Sequence, residues 1–213
     1  MRNFSPTHPK AQIMARKRTD ILAAAKASFL ATGYEGTSME SIAKVANVSI
    51  MTLYRHARTK NDLFCAVIAN ACDPSDESER AEMEMLLAKP FADSLVAAAM
   101  KAQRRLVDPD TIALMRTVIA GAARFPMLAE LAHKGLVGGL VEMIDFILGC
   151  KSESAHLDAS ARRAMAQQFV DGLVGTGMLG VLMGLRVPSD DELHQRAVAV
   201  SAMLIAEVAE KPV

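Results

Sequence analysis

Apolar side chains recur at every third or fourth position along almost the whole chain, and strict alternation is absent, so the pattern predicts helices throughout. Ile21, Leu22, Ala25, Phe29 and Leu30 mark a helix over about 13–32. Leu63, Phe64, Val67 and Ile68 mark another over 60–72, opened by a capping box of Thr59 and Asp62. Further helices fit 91–106, 109–123, 126–149, 158–184 and 190–209. Their ends are punctuated by Pro90, Asp108-Pro109, Pro126, the polar stretch 151–156, and Pro188-Ser189 with Glu192 as a cap. The polar segment Asp73 to Arg80 contains Pro74 and reads as a loop. No hairpin signature or internal repeat interrupts this layout. The expected class is all-α.

One stretch carries more information than the rest. Between Thr37 and His56 the pattern predicts two short helices separated by a tight turn. Thr37 with Glu40 reads as a capping box for the first helix. Ile42, Ala43 and Ala46 supply its inner face, with Lys44 outside. Asn47 tolerates the left-handed backbone of a sharp helix exit. Val48 is the expected plug between the helices, Ser49 the N-cap of the second, and Leu53 its inward residue. A second helix of about two turns with a hydroxyl, aromatic and basic outer face suits insertion into a DNA groove. An ordinary helical hairpin has the same local grammar, so charge must separate the two readings.

Charge favours DNA. The 213 residues have no net formal charge, but residues 1–65 hold ten Lys/Arg against four Asp/Glu, and residues 66–213 hold fourteen against twenty. The basic half is the one carrying the helix pair, as phosphate attraction requires. The expected division is therefore 1–65, a DNA-binding domain with a flexible basic arm before residue 19, and 66–213, a larger helical domain. No run of about eighteen apolar residues lacks a charge, which argues against a spanning helix. No apolar core follows the N-terminal basic residues as in a signal peptide, and a cytoplasmic protein is expected. Cys65, Cys72 and Cys150 have no metal-like spacing, and no cofactor is called for.

The chain resembles the TetR/AcrR family of bacterial transcriptional repressors over roughly residues 19–68. The matching residues are Ile21–Ala25 with Phe29, Gly33-Tyr34, Thr37-Ser38, Ile42-Ala43, Val48-Ser49, Thr52–His56 and Lys60–Leu63. Arg124-Phe125-Pro126 and Leu128 are similar to a turn in one branch of that family. Asn47 stands where the family usually has Gly, Ile50-Met51 where it usually has Lys-Gly, and Ala57 near an expected Phe. Thr37, Ser38, Thr52, Tyr54, His56 and Lys60 have donors for phosphate oxygens, and the resemblance places backbone contacts at these positions. Arg55 suits guanine in the major groove, and Ile50 and Met51 suit thymine methyls, with Ser49 at the same edge. Arg55 and Lys60 are also ordinary surface charges on the bland reading, and Tyr54 an ordinary edge residue.

The resemblance implies an effector-binding and dimerisation role for the second domain. A single short recognition helix covers few base pairs, so a homodimer on a palindromic operator is expected. The expected interface is Phe169, Leu173, Gly177, Gly180, Val181 and Gly184 on one helix, with Val198, Met203, Leu204 and Ile205 on the next. A small hydrophobic effector is expected among Met100, Met115, Ile119, Phe125, Met143, Phe146, Ile147 and Met165, with Arg116 or His133 orienting a polar group. Met and Phe at helical spacing are more often the makings of a plain core. Two other classes compete. An enzyme lacks any local constellation here, because His8, His56, His133, His156 and His194 are scattered. A thiol sensor would use Cys65 and Cys72, but seven residues of helix separate them by about 10 Å, too far for an unstrained disulfide.

Overall fold

The structure is a computed structural model that describes residues 9–72 and 77–210, all helix, turn or loop with no strand among them. In order the helices are α1 (Pro9–Gly36), α2 (Met39–Val45), α3 (Ile50–His56), α4 (Lys60–Cys72), α5 (Glu77–Leu87), α6 (Phe91–Leu106) and α7 (Pro109–Gly121). Then come α8 (Pro126–His133), a π-helical turn (Lys134–Gly138), α9 (Gly139–Cys150), a 3-10 turn (Ser152–Ser154), α10 (Ala159–Leu182) and α11 (Asp190–Glu210). Two compact units result. The described residues up to Ala71 form the first together with Arg116–Leu131; Cys72–Met115 and the residues from Ala132 onward form the second. The chain thus returns to the first unit for a segment that the sequence boundary at residue 65 assigned to the second domain.

The first unit is organised around the apolar stripe of α1. Ile21, Leu22, Ala25 and Phe29 are buried together with Ile42, Leu53, Leu63, Phe64 and Ile68. Burying each large side chain contributes on the order of 1.5–3 kcal/mol before entropy is charged against it. Gly33 interrupts α1 at φ 71, ψ 172, a conformation essentially closed to residues with a Cβ. The break returns Tyr34 to the core, where its ring stacks on Phe29 at 5.8 Å and meets Phe64 at 5.1 Å. Phe29 and Phe64 meet edge to face at 4.7 Å. Phe125 closes the group with its ring 4.9 Å from that of Tyr34, and Arg124 pairs with Glu35 beside it.

In the second unit α6 lies along α11 and α9 along α10. Leu95, Ala98, Ala99 and Ala102 of α6, Ile144, Ile147 and Leu148 of α9, and Met165, Phe169 and Val170 of α10 form its core. The predicted cap of α11 is present: Ser189 N–H donates to Glu192 Oε2 at 2.7 Å, and Glu192 N–H to Ser189 Oγ at 3.3 Å. The Arg186 guanidinium, then the Ser189 N–H, hold the Glu192 carboxyl down to about 2.

Three elements differ from the sequence reading. Residues 77–80, expected in a loop, open α5, whose C-terminal carbonyls are met by Lys151 Nζ on Leu87 O (2.8 Å) and Ser94 Oγ on Leu86 O (2.8 Å). Lys151 is 64 residues from Leu87, beyond the reach of local patterning. The single helix expected over 126–149 contains a π turn at its glycine-bearing Lys134–Gly138 segment. The helix expected over 158–184 is broken at Gly175 (φ 39, ψ −166).

Candidate nucleic-acid interface

The turn between α2 and α3 is a Schellman motif. Asn47 takes φ 51, its N–H donates to Lys44 O at 3.2 Å, and Val48 N–H donates to Ala43 O at 3.0 Å. Val48 is half-buried there, as expected of a plug. The next residue restarts the chain as helix: Ser49 is the N-cap of α3, and its Oγ accepts from Thr52 N–H at 3.2 Å. Leu53 is fully buried and fixes the rotation of α3 about its own axis. At the start of α4 the Thr59–Asp62 capping box is present in both directions, each bond 3.0 Å.

With Leu53 inside, Met51 (70 % exposed), Tyr54 (43 %) and Arg55 face solvent. Ile50, Thr52 and His56 are half-buried, and Thr52 Oγ1 lies 2.9 Å from Ser49 Oγ. Burial, then the positive charges of Arg18, Arg55 and Lys17, hold the His56 imidazole below its ordinary pKa. Those same charges identify a basic surface: Arg16, Lys17 and Arg18 of α1 are exposed, as are Arg55 and Arg58. The basic arm, expected to be flexible before residue 19, is therefore helical from Pro9 onward; a proline at the first helical position favours that start. The part of the arm before Pro9 lies outside the described residues.

The α2 cap falls one residue later than expected. Ser38, not Thr37, is the N-cap, and the reciprocal partner is Ser41 (3.1 and 3.2 Å) rather than Glu40. Thr37 is 3 % exposed, and its hydroxyl donates to Gly33 O at 2.7 Å beside Thr32 Oγ1 at 2.8 Å. It seals the break in α1, so its hydroxyl is engaged within the fold. Lys60 is similarly engaged: Nζ donates to Tyr34 O (2.8 Å) and Thr37 O (3.0 Å) and lies 4.4 Å over the Tyr34 ring. An ammonium satisfied by the carbonyls where α1 ends is a structural tie before it is a phosphate donor. Sequence reasoning missed this Gly33–Tyr34–Thr37–Lys60 lock, whose one visible trace was the Gly33-Tyr34 pair.

The residues expected around an effector do not gather into one cavity inside either unit. Arg116, Ile119 and Phe125 belong to the first unit, where Arg116 and Ile119 are exposed and Phe125 is the half-buried partner of Tyr34. In the second, Ile147 and Met165 are fully buried core, Met100, Met115 and Met143 are half-buried against that core, and Phe146 is 51 % exposed. His133 is exposed. Helical spacing identified these side chains as apolar-facing but could not separate lining from filling.

The expected dimer residues also divide. Phe169, Leu173, Val181 and Leu204 are buried in the chain's own core, and Ile205 packs against it. Gly177 lies under the Arg196 guanidinium and Gly180 under Leu185. Gly184 (φ 97) ends α10 in a second Schellman motif, with Leu185 N–H on Gly180 O at 2.9 Å and Gly184 N–H on Val181 O at 3.1 Å. Val198 (44 % exposed) and Met203 (73 %) point outward, and so do Leu179 (53 %) and Met183 (73 %), which the sequence reading omitted. The inner stripe of each helix is the more apolar one, so periodicity selects it first.

A capped two-helix element on a basic surface, carried by an all-helical chain, defines a helix-turn-helix DNA-binding regulator. Comparison with known proteins takes this further. Residues 21–67 match the family described as bacterial regulatory proteins, tetR family, and residues 93–207, more than half the chain, match the AefR-like transcriptional repressor C-terminal domain. The chain belongs to the TetR family of transcriptional regulators. A crystal structure of a candidate TetR-family regulator from Mesorhizobium loti is 25 % identical with a TM-score of 0.79, covering 91 % of this chain and 96 % of that one. The flavonoid-responsive regulator FrrA shares the fold at 23 % identity and a TM-score of 0.66, with coverage of 91 % and 96 %. NalD of Pseudomonas aeruginosa, described as the secondary repressor of the MexAB-OprM multidrug efflux pump, shares it at 20 % identity and 0.58, with coverage of 89 % and 96 %. No curated protein matches the sequence. No helix among the described residues is long and apolar enough to cross a membrane.

Proposed function

We propose that this protein is a homodimeric repressor that binds a palindromic operator through α3 and releases it when a small, largely apolar effector occupies the second unit. The observation that carries the DNA half is the outer face of α3: Leu53 and the Ser49 cap fix the helix so that Met51, Tyr54 and Arg55 project beside exposed Arg16, Lys17 and Arg18. In this reading Ser38, Thr52, Tyr54 and His56, with Lys17 and Arg18, meet phosphates, and Arg55, Ile50 and Met51 meet base edges. The exposed apolar side chains Leu179, Met183, Val198 and Met203 support a dimer through α10 and α11, where a partner surface would cover them. The printed descriptions of FrrA and NalD, a flavonoid responder and an efflux-pump repressor, support an apolar small-molecule effector.

The test is fluorescence anisotropy on DNA recovered from a random pool, comparing the native chain with Tyr54→Ala and Arg55→Ala. Arg55→Ala is expected to weaken specific binding by about 5–150-fold, corresponding to about 1–3 kcal/mol for a bidentate base contact, and Tyr54→Ala to abolish it with the dimer still folded. Native affinity in both variants rejects α3 as the reading element. The thiol-sensor alternative loses ground, because burial, then the Asp62 carboxylate, push the Cys65 thiol up and so disfavour the reactive thiolate. The Cys72 side chain lies outside the described residues.

A further inference from the structure

The place of Lys60 in the chain closes the helix-turn-helix on itself. Thr37 is the last residue before Ser38, the N-cap of α2, and Lys60 is the first residue of α4, which follows α3. The bond from Lys60 Nζ to Thr37 O at 3.0 Å therefore joins the two ends of the segment that holds α2, the turn and α3, across 23 residues of sequence. The bond to Tyr34 O at 2.8 Å ties the same ammonium to the end of α1. Thr37 is held from the other side as well, since its hydroxyl donates to Gly33 O at 2.7 Å. Phe64, one turn after Lys60 on α4, meets the Tyr34 ring at 5.1 Å. Thus α4 grips the end of α1 twice, once by charge and once by an aromatic contact.

Short connections make this grip bear on α3. Only Ala57, Arg58 and Thr59 lie between α3 and α4. Ala57 is buried, and its N–H donates to Leu53 O at 3.0 Å. Thr59 in turn belongs to the box that fixes the first turn of α4. A link this short and this fully bonded passes a displacement of the start of α4 on to α3. At the other end the Ser38 cap and the turn at Asn47 carry the position of Thr37 through α2 to α3. The same ammonium is poorly placed to serve a phosphate. Two of its three N–H groups are spent on carbonyls, and Nζ lies 4.4 Å from the centre of the Tyr34 ring, within cation–π range. Lys60 is half-buried, whereas Lys17, Arg18 and Arg55 are exposed.

We propose that Lys60 is a positioning residue for operator reading: its ammonium clamps Thr37 and Tyr34, holds both ends of the helix-turn-helix on α1, and makes no contact with DNA phosphate. This rests on α3 as the reading element, as given under the proposed function. Loss of the clamp lets α3 shift in the groove. Base contacts, which need exact placement, weaken; the sequence-independent attraction of the basic surface for phosphates is spared.

Lys60→Met removes the donors and keeps most of the side chain's length. The native chain, Lys60→Met and Lys60→Arg are titrated by anisotropy against DNA recovered from a random pool and against a scrambled duplex, over a range of salt and below each melting transition. Lys60→Met is expected to bind the recovered sequence about tenfold more weakly, the scale of one lost charge-assisted hydrogen bond, with affinity for the scrambled duplex little changed. The slope of log affinity against log salt should stay native, where a lost phosphate contact would reduce it by about 0.9. Lys60→Arg, which can reach carbonyls and stack on a ring, should restore most of the preference. Equal losses on both duplexes with a reduced slope overturn the proposal and make Lys60 a phosphate donor. An unchanged preference in folded Lys60→Met overturns it too, leaving the clamp a contributor to stability alone. Should Lys60→Met not fold, amine acetylation of the native chain, mapped by mass spectrometry, decides. Lys60 should acetylate as slowly in the free chain as on DNA; ready acetylation that DNA suppresses contradicts the clamp. A native chain with no preference for the recovered sequence removes the α3 reading and this proposal with it. A native preference that Lys60→Met retains removes this proposal only.

Discussion

The α2–α3 and α10–α11 pairs leave their first helix by the same device and then part ways. Asn47 and Gly184 both occupy a positive-φ position, and both are followed by a residue whose N–H closes the last turn of the preceding helix, Val48 on Ala43 O and Leu185 on Gly180 O. What differs is the outward chemistry of the second helix. α3 presents Met51, Tyr54 and Arg55 near Lys17 and Arg18 of α1, and the α10–α11 pair leaves Leu179, Met183, Val198 and Met203 exposed. A common turn therefore says how two helices are joined. In the proposed reading the surface opposite the buried stripe says what they are for: DNA in the first case, a second copy of the chain in the other.

The comparison breaks most severely at Leu53. Leu53→Ala opens a fully buried site in the first unit and is expected to cost about 2–5 kcal/mol, seen as a lower melting temperature with operator binding lost. The corresponding change on the other pair, Leu179→Glu with Met203→Glu, alters only exposed positions. It should leave helicity intact while light scattering reports a monomer; a native dimer mass would remove the outward face from the account. A smaller effect belongs to His56. Its pKa is lowered in the free protein, so it is neutral at pH 7, and a nearby phosphate favours the protonated form. Operator affinity should then rise as pH falls below neutral, and His56→Gln should flatten that rise at constant ionic strength. A slope unchanged by His56→Gln separates His56 from the phosphates. The smallest effect is at the turn itself. Asn47→Gly should stabilise the chain by no more than about 1 kcal/mol, since Asn already tolerates the left-handed conformation.

The legible parts of the molecule were those decided within a few residues. Asn47, Ser49 and the Thr59–Asp62 box could be placed from sequence because each interaction spans three to five positions. The illegible parts depend on distant partners. Lys60 reads as a phosphate donor until the carbonyls of Tyr34 and Thr37, more than twenty residues away, are brought to it. Phe125 reads as a pocket residue until its ring is found against Tyr34. On α10 the periodicity located an apolar stripe correctly, but whether Phe169 and Leu173 face a partner or their own core depends on how α9 and α6 pack against them.

The most direct measurement of the central claim is selection of bound sequences from a random double-stranded pool by the full-length protein. A dimer using two copies of α3 predicts an inverted repeat whose half-sites lie about 34–36 Å apart centre to centre, or a multiple of one helical turn. An asymmetric site, or no enrichment at low salt where phosphate attraction is strongest, would contradict it.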